Sequence, residues 1–226
     1  MGVVPVIAID GPSGSGKGTV SRAVARSLGW ALLDSGALYR LVALAARRAG
    51  ADLTDGSALA RLAQGLQIHF GCATTGQELV RLDGADVTRA IRTEQAGNDA
   101  SKVAAIAAVR SALLDRQRRL AVPPGLVADG RDMGTVVFPD AGVKIFLTAS
   151  AAERAARRHK QLNDQGVTAN LAALSLEIAE RDRRDATRAA SPLVASADAV
   201  LLDTTGLPIE AVIERVLGIA RRRLSV

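Results

Sequence analysis

The chain has 226 residues, of which 48% are apolar, 23% charged and only 2% aromatic, and its formal net charge is +6. These values describe one medium-sized α/β domain, with room for an insertion, and exclude a disordered tail, a low-complexity chain and a disulfide-stapled scaffold. The scarcity of aromatics argues against a module that stacks bases on exposed rings, and the lone Cys72 argues against an internal disulfide or a Cys-rich zinc site and fits a reducing, cytoplasmic compartment.

In chain order, the run Val3–Ile9 predicts a first strand, apolar throughout as expected for a strand covered on both faces. It is short, contains Pro5 and lacks a basic leader, so it does not read as a signal peptide; Gly2 lacks the Ser or Thr context of a myristoylation signal. Val20, Val24 and Leu28 then mark a helix that begins near Lys17 and stops at Gly29. Trp30–Leu33 predicts the second strand, and Leu38, Leu41, Val42 and Ala45 a second helix ending near Gly50. Residues 66–93 break the alternation with two strand-like runs, Leu66–Phe70 and Glu78–Leu82, with Gly76 between them and a turn at Asp83–Gly84, which predicts a small antiparallel insertion. Pro123–Pro124–Gly125 delivers the chain to further strands at Leu126–Ala128, Val143–Leu147 and Ala199–Leu202, and a last helix runs from near Pro208 to Arg221–Arg223. No run approaches the ~18 apolar residues of a membrane span.

The most informative segment is Gly11–Pro12–Ser13–Gly14–Ser15–Gly16–Lys17–Gly18–Thr19, set between the first strand and the first helix. Glycines let a backbone wrap closely around phosphates and turn N–H groups inward, and the helix N-terminus adds positive charge. Lys17 is placed to reach the β- and γ-phosphates of a nucleotide. The position after the lysine, where a hydroxyl usually ligates magnesium, holds Gly18, and Thr19 follows.

A phosphate loop specifies a nucleotide and leaves the reaction open. Asp34–Ser35–Gly36–Ala37–Leu38–Tyr39–Arg40 follows the second strand, so Ser35 and Arg40 point to a second ligand near strand C-terminal ends. A hydroxyl acceptor needs a general base, whereas a phosphate acceptor, with a second pKa of about 6, is already anionic and needs positive charge instead. The chain supplies arginines in abundance, while His69 and His159 are isolated. Asp129, at the end of the third main strand, is where a magnesium-associated carboxylate is expected, and Arg131 and Asp132 follow it, one guanidinium and one carboxylate able to read a base edge. Arg154, Arg157 and Arg158 follow the fourth strand. Arg181, Asp185 and Arg188 stand at i, i+4 and i+7, a spacing that predicts one helix face and an Arg-rich mobile lid over the transferring phosphate. Kinases for UMP, AMP or a small alcohol, and a basic RNA-binding protein that merely holds nucleotide, are the rival readings at this level.

Together the segments IDGPSGSGKGT at 9–19, LLDSGALYR at 32–40, ADGRDMGTVVFPDA at 128–141, KIFLTAS at 144–150 and ERDRRDATR at 180–188 resemble bacterial cytidylate kinases, phosphate-loop kinases acting on nucleoside monophosphates. The resemblance implies a five-stranded parallel sheet flanked by helices, a small antiparallel insertion and an Arg-rich lid in one domain. Its core would be 1–34, 103–150 and 189–226, its monophosphate-binding region 35–102 and its lid 151–188. It implies transfer of the ATP γ-phosphoryl group to CMP or dCMP with Mg2+, by a cytoplasmic monomer of pyrimidine metabolism with no nucleic-acid or membrane partner. Carried over residue by residue, Ser35, Arg110, Asp132 and Arg188 fall near the cytosine, Ser101, Arg181 and Asp185 near the sugar, and Arg40 and Arg131 near the acceptor phosphate. Lys17, Arg131, Arg181 and Arg188 would carry catalysis. The loop Gly11–Thr19 with Arg154, Arg157 and Arg158 would hold ATP, and Asp129 and Thr19 would stand near Mg2+.

Overall fold

The computed structural model describes residues 4–72, 78–164 and 166–224. Gly2, Val3 and Gly76, and the side chain of Cys72, lie outside what is described. In chain order the first elements are β1 (Val6–Asp10), α1 (Lys17–Leu28), β2 (Ala31–Asp34), α2 (Ser35–Arg48) and α3 (Gly56–Gly65). There follow β3 (Ile68–Cys72), β4 (Glu78–Leu82), β5 (Ala85–Asp86), α4 (Glu94–Val103) and α5 (Ala107–Arg118). The chain closes with β6 (Leu126–Gly130), β7 (Val143–Thr148), α6 (Ala151–Asp164), α7 (Leu171–Thr187), β8 (Val200–Asp203) and α8 (Ile209–Leu224).

The chain divides into two compact units, one of residues 1–34 and 117–226 and one of residues 35–116. The first is built on a five-stranded parallel sheet in the order β2-β6-β1-β7-β8. Its central strand β1 is buried along its whole length, which is why its sequence shows no apolar–polar alternation. Ile7, Ile9, Val127, Ile145 and Leu147 form the middle of an aliphatic core, closed by Val20 and Val24 of α1 and by Val212 and Val216 of α8. Gly29 takes a left-handed conformation at φ 66° and stops α1 where the sequence places the stop.

The second unit holds the three-stranded antiparallel sheet β3-β4-β5 and packs α2 against α4. One polar tie reinforces that packing: Arg47 of α2 pairs with the buried Asp99 of α4, which Gln95 steadies from within α4. The expected turn at Asp83–Gly84 is present, with both residues at positive φ, and it leads into β5, a two-residue strand too short for any periodicity to reveal. Among the described residues no helix is long and apolar enough to cross a membrane.

Candidate active site

β1 ends inside the sheet and hands the chain to the glycine loop. Gly11 has φ 149°, and a Cβ there would lie 2.0 Å from the carbonyl oxygen of Leu147, so the first turn of the loop admits no side chain. Gly16 caps α1 in the left-handed region at φ 87°. The buried Lys17 folds back over this loop and donates from Nζ to the carbonyl of Pro12 at 3.1 Å, as the Ser15 hydroxyl does at 3.0 Å. Burial, together with the nearby cations Arg131 and Arg181, pushes its ammonium down to about 7, against the pull of Asp129 and Asp185.

Asp129 ends β6 beside the loop. Its Oδ2 lies 3.2 Å from where a Cβ on Gly18 would stand, a geometric reason for glycine after the lysine. Its Oδ1 is buried without a hydrogen-bond partner, and burial, reinforced by Asp34, pushes the carboxyl up to about 6 even with Lys17 close by. An unsatisfied buried carboxylate oxygen beside a phosphate loop fits Mg2+, which takes most of its ligands from phosphates and water and one or two from protein. Thr19 is exposed on α1. No cluster of three or more metal-ligating side chains occurs among the described residues.

After β6 the chain makes a single π-helical turn over Met133–Val137, preceded by Arg131 and the buried Asp132. The amides of Met133 and Gly134 both donate to the buried carboxylate of Asp10, each at 2.8 Å. Burial pushes Asp10 up to about 6 despite these two bonds. Sequence reasoning assigned Asp10 no role; the available signal was an acid closing an otherwise apolar strand.

Arg131 donates from Nε to Asp185 Oδ2 at 2.9 Å and from Nη1 to the carbonyl of Gly130 at 3.1 Å. Burial opposes both charges, yet each outweighs it for the other: Asp185 holds the guanidinium above its ordinary value, and Arg131 with Arg181 holds Asp185 below the usual carboxylate range. Arg181, Asp185 and Arg188 keep their i, i+4, i+7 placement, because the Arg188 amide still donates to the carbonyl of Arg184 at 3.1 Å, and both arginines help hold Asp185 below the usual carboxylate range. α7 ends at Thr187, and Arg188 is its C-cap, with ψ 138° turning the chain outward. The amide of Leu193 then donates back to the carbonyl of Asp185 at 2.7 Å, so a returning loop replaces the next helical turn. Arg188 is still buried, and its Nε donates to the carbonyl of Ser191.

Arg154 and Arg157 are anchored in the first unit. Arg154 donates to the carbonyls of Ala149 and Ser13, the latter in the glycine loop at 3.1 Å, and pairs with Asp182 at 2.7 Å. Arg157 bonds Glu153 and both the hydroxyl and the carbonyl of Thr204, whose hydroxyl reaches the carbonyls of Ser15 and Thr148. Arg158 donates to Gln161 at 2.6 Å, and burial lowers its pKa from the ordinary value. Asp182 and Thr204 were missed from sequence; Asp182 stood in the charged run at 180–185, but its partner lies 28 residues earlier.

In the second unit, Ser35 and Ser101 are buried on α2 and α4. Arg40 donates to the carbonyl of Ile91 at 2.7 Å. Arg110 on α5 bonds the carbonyl of Ala104 and sets its guanidinium 5.4 Å from the ring centre of Tyr39, a cation–π arrangement on the same helix face as Ser35. The sequence pattern gave no hint of that ring–guanidinium contact.

A glycine loop at the end of the central strand of a parallel sheet, with a buried lysine and flanking arginines, defines a phosphotransferase of the phosphate-loop kinase class. A sequence-family model described as cytidylate kinase matches residues 7–222. Relatives described by the same words come from Stutzerimonas stutzeri (strain A1501), 59% identical over 98% of each chain, and from Azotobacter vinelandii (strain DJ / ATCC BAA-1303), 58% identical over 100% of each. Among solved structures, a gluconokinase from Sinorhizobium meliloti 1021 aligns over 100% of this chain and 97% of its own, with a TM-score of 0.48 and 18% identity. The chain belongs to the cytidylate kinase family, and it is a nucleoside monophosphate kinase.

Proposed function

We propose that this kinase transfers the ATP γ-phosphoryl group to CMP or dCMP, giving CDP or dCDP and ADP, in cytoplasmic pyrimidine metabolism. The observation that carries the chemistry is the company of Lys17. The lysine, Arg131 and Arg181 are near enough to one another that the two guanidinium groups help depress the ammonium. Crowded cations are unfavourable alone and are what two polyanionic ligands require when they meet. The acceptor phosphate is itself an anionic nucleophile near neutral pH, so no side chain has to take a proton.

In this reading Gly11–Thr19 holds the ATP phosphates, and Arg154, Arg157 and Arg158 belong to the ATP side. Arg154 acts there through its bond to the loop carbonyl of Ser13. Arg131 meets the acceptor phosphate, Asp132 and Arg188 the base, and Arg181 and Asp185 the sugar. From the second unit, Ser35 and Arg110 are assigned to the base, Ser101 to the sugar and Arg40 to the phosphate. Asp129 would hold Mg2+, with Thr19 the other assigned residue; the ion would neutralise charge on the β- and γ-phosphate oxygens.

ADP formation from ATP and Mg2+, measured in parallel with CMP, dCMP, UMP and AMP, tests the proposal. Fast turnover with CMP and dCMP and little with the other two is expected. A preference for UMP or AMP would overturn the base assignments.

A further inference from the structure

We propose that Asp10 is a positioning residue for the acceptor nucleotide, acting through the turn that presents Arg131 and Asp132. The inference rests on the assignment of those two residues to the acceptor.

Asp10 lies at the end of β1, and the turn it holds is 123 residues away in sequence. Its two carboxylate oxygens are divided between consecutive amides: Oδ1 accepts from Met133 and Oδ2 from Gly134, each at 2.8 Å. These are the first amides of the π-helical turn, which no residue within the turn can satisfy. The Met133 amide belongs to the same peptide group as the carbonyl of Asp132. That carbonyl accepts from Val136 at 2.9 Å and Val137 at 3.1 Å. Both ends of this one peptide plane are therefore held, and with them the direction in which the Asp132 side chain leaves the backbone.

The rest of the turn is clamped as well. Phe138 donates back to the carbonyl of Met133 at 2.7 Å. Arg118 donates to the carbonyls of Val136 and Val137 at 3.1 and 3.0 Å. Gly134 sits so tightly that a Cβ there would stand 3.2 Å from the stem of Lys144 and 3.5 Å from Asp10 Oδ2. Of the two side chains that hold the turn from outside, Asp10 grips the end next to Asp132 and Arg118 the opposite end. A carboxylate suits the task because both oxygens accept; an asparagine offers one acceptor and turns an N–H2 group toward the second amide.

Asp10→Asn is the test, with KM for CMP, KM for ATP, kcat and the CMP-over-UMP ratio of kcat/KM measured on the full chain. Loss of a charge-assisted bond from a buried amide predicts about a tenfold rise in KM for CMP, a narrowed CMP-over-UMP ratio and a nearly unchanged KM for ATP. Equal losses for both substrates with the ratio preserved would overturn the inference. Asp132→Ala runs alongside as the control on the assignment. A ratio moved by neither variant discards Asp132 as the base reader, and a raised KM for CMP with that for ATP unchanged then keeps Asp10 acting through Arg131 on the phosphate; an unchanged KM for CMP in Asp10→Asn overturns the positioning role. Should Asp10→Asn fail to fold, deuterium exchange in the unaltered protein decides. Met133 and Gly134 amides as slow as those of β1 support the clamp, and exchange as fast as in exposed loops refutes it.

Discussion

Arg131 Nε donates to Asp185 Oδ2 at 2.9 Å, joining the turn after β6 to the buried face of α7 by a pair of charges with side chains 16% and 5% exposed. Removing one member leaves the other uncompensated away from water. Asp185→Ala is expected to cost about 3–5 kcal/mol of stability in chemical denaturation. Because Asp185 titrates below its ordinary range, its contribution is present above the unfolded carboxylate pKa and fades as the pH falls through the native value. A loss under about 1 kcal/mol would show that solvent already screens the pair.

Lys17→Ala removes a charge whose work lies with the transferring phosphate. Turnover is expected to fall by about a hundredfold or more, the scale of a lost transition-state donor, while CMP binding measured by calorimetry stays close to that of the unaltered protein. Near-normal turnover would remove the lysine from the chemistry.

Asp132→Ala addresses selectivity. Cytosine presents an amine donor where uracil presents an acceptor, so a carboxylate attracts one and repels the other. The variant is expected to lose about 1–3 kcal/mol of CMP-over-UMP discrimination, read from the ratio of kcat/KM values. An unchanged ratio reassigns base reading to another residue.

Asp10 gives a stability signature that needs no substrate. Its native pKa, pushed up to about 6 from 3.8, exceeds the unfolded value, so the native state binds more protons between those limits. Its contribution is complete below about pH 4 and is lost as the pH rises through about 6. The stability advantage of the unaltered protein over Asp10→Asn is expected to shrink by about 2 kcal/mol between pH 4 and pH 7, measured by denaturation without nucleotide or Mg2+. A pH-independent difference would place the native pKa near its unperturbed value.

What could be read from the sequence was local. The phosphate loop announced itself because its function depends on glycines within nine consecutive residues, and the inner strands β6, β1 and β7 because buried parallel strands are largely apolar; β8, an edge strand with Leu201 exposed, is apolar without that burial. What escaped depended on partners distant in the chain. Asp10 meets Met133, Arg154 meets Ser13 and Thr204 meets Ser15, and in each case separate strands of the sheet bring the two together. The spacing of Arg181, Asp185 and Arg188 was equally local, and it holds through the last hydrogen bond of α7. Periodicity could not show the exit itself, where ψ 138° at Arg188 ends the helix and the chain returns to set the Leu193 amide on the carbonyl of Asp185. Ser101 and Arg110, in a stretch of weak patterning, fall on two helices, α4 and α5, separated at 104–106.

The end of β1 has one more consequence. Asp10 grips the turn that presents Asp132, and Gly11, the next residue, opens the loop that carries Lys17. Two segments that in the proposed reaction handle different nucleotides are thus dimensioned from the same datum, adjacent Cα atoms about 3.8 Å apart. Small errors elsewhere in the sheet do not accumulate between them, as they would along a chain of separate supports. Repacking beneath the strand, at Ile7 or Ile9, displaces both segments in step, so such variants are expected to lose stability well before they lose alignment.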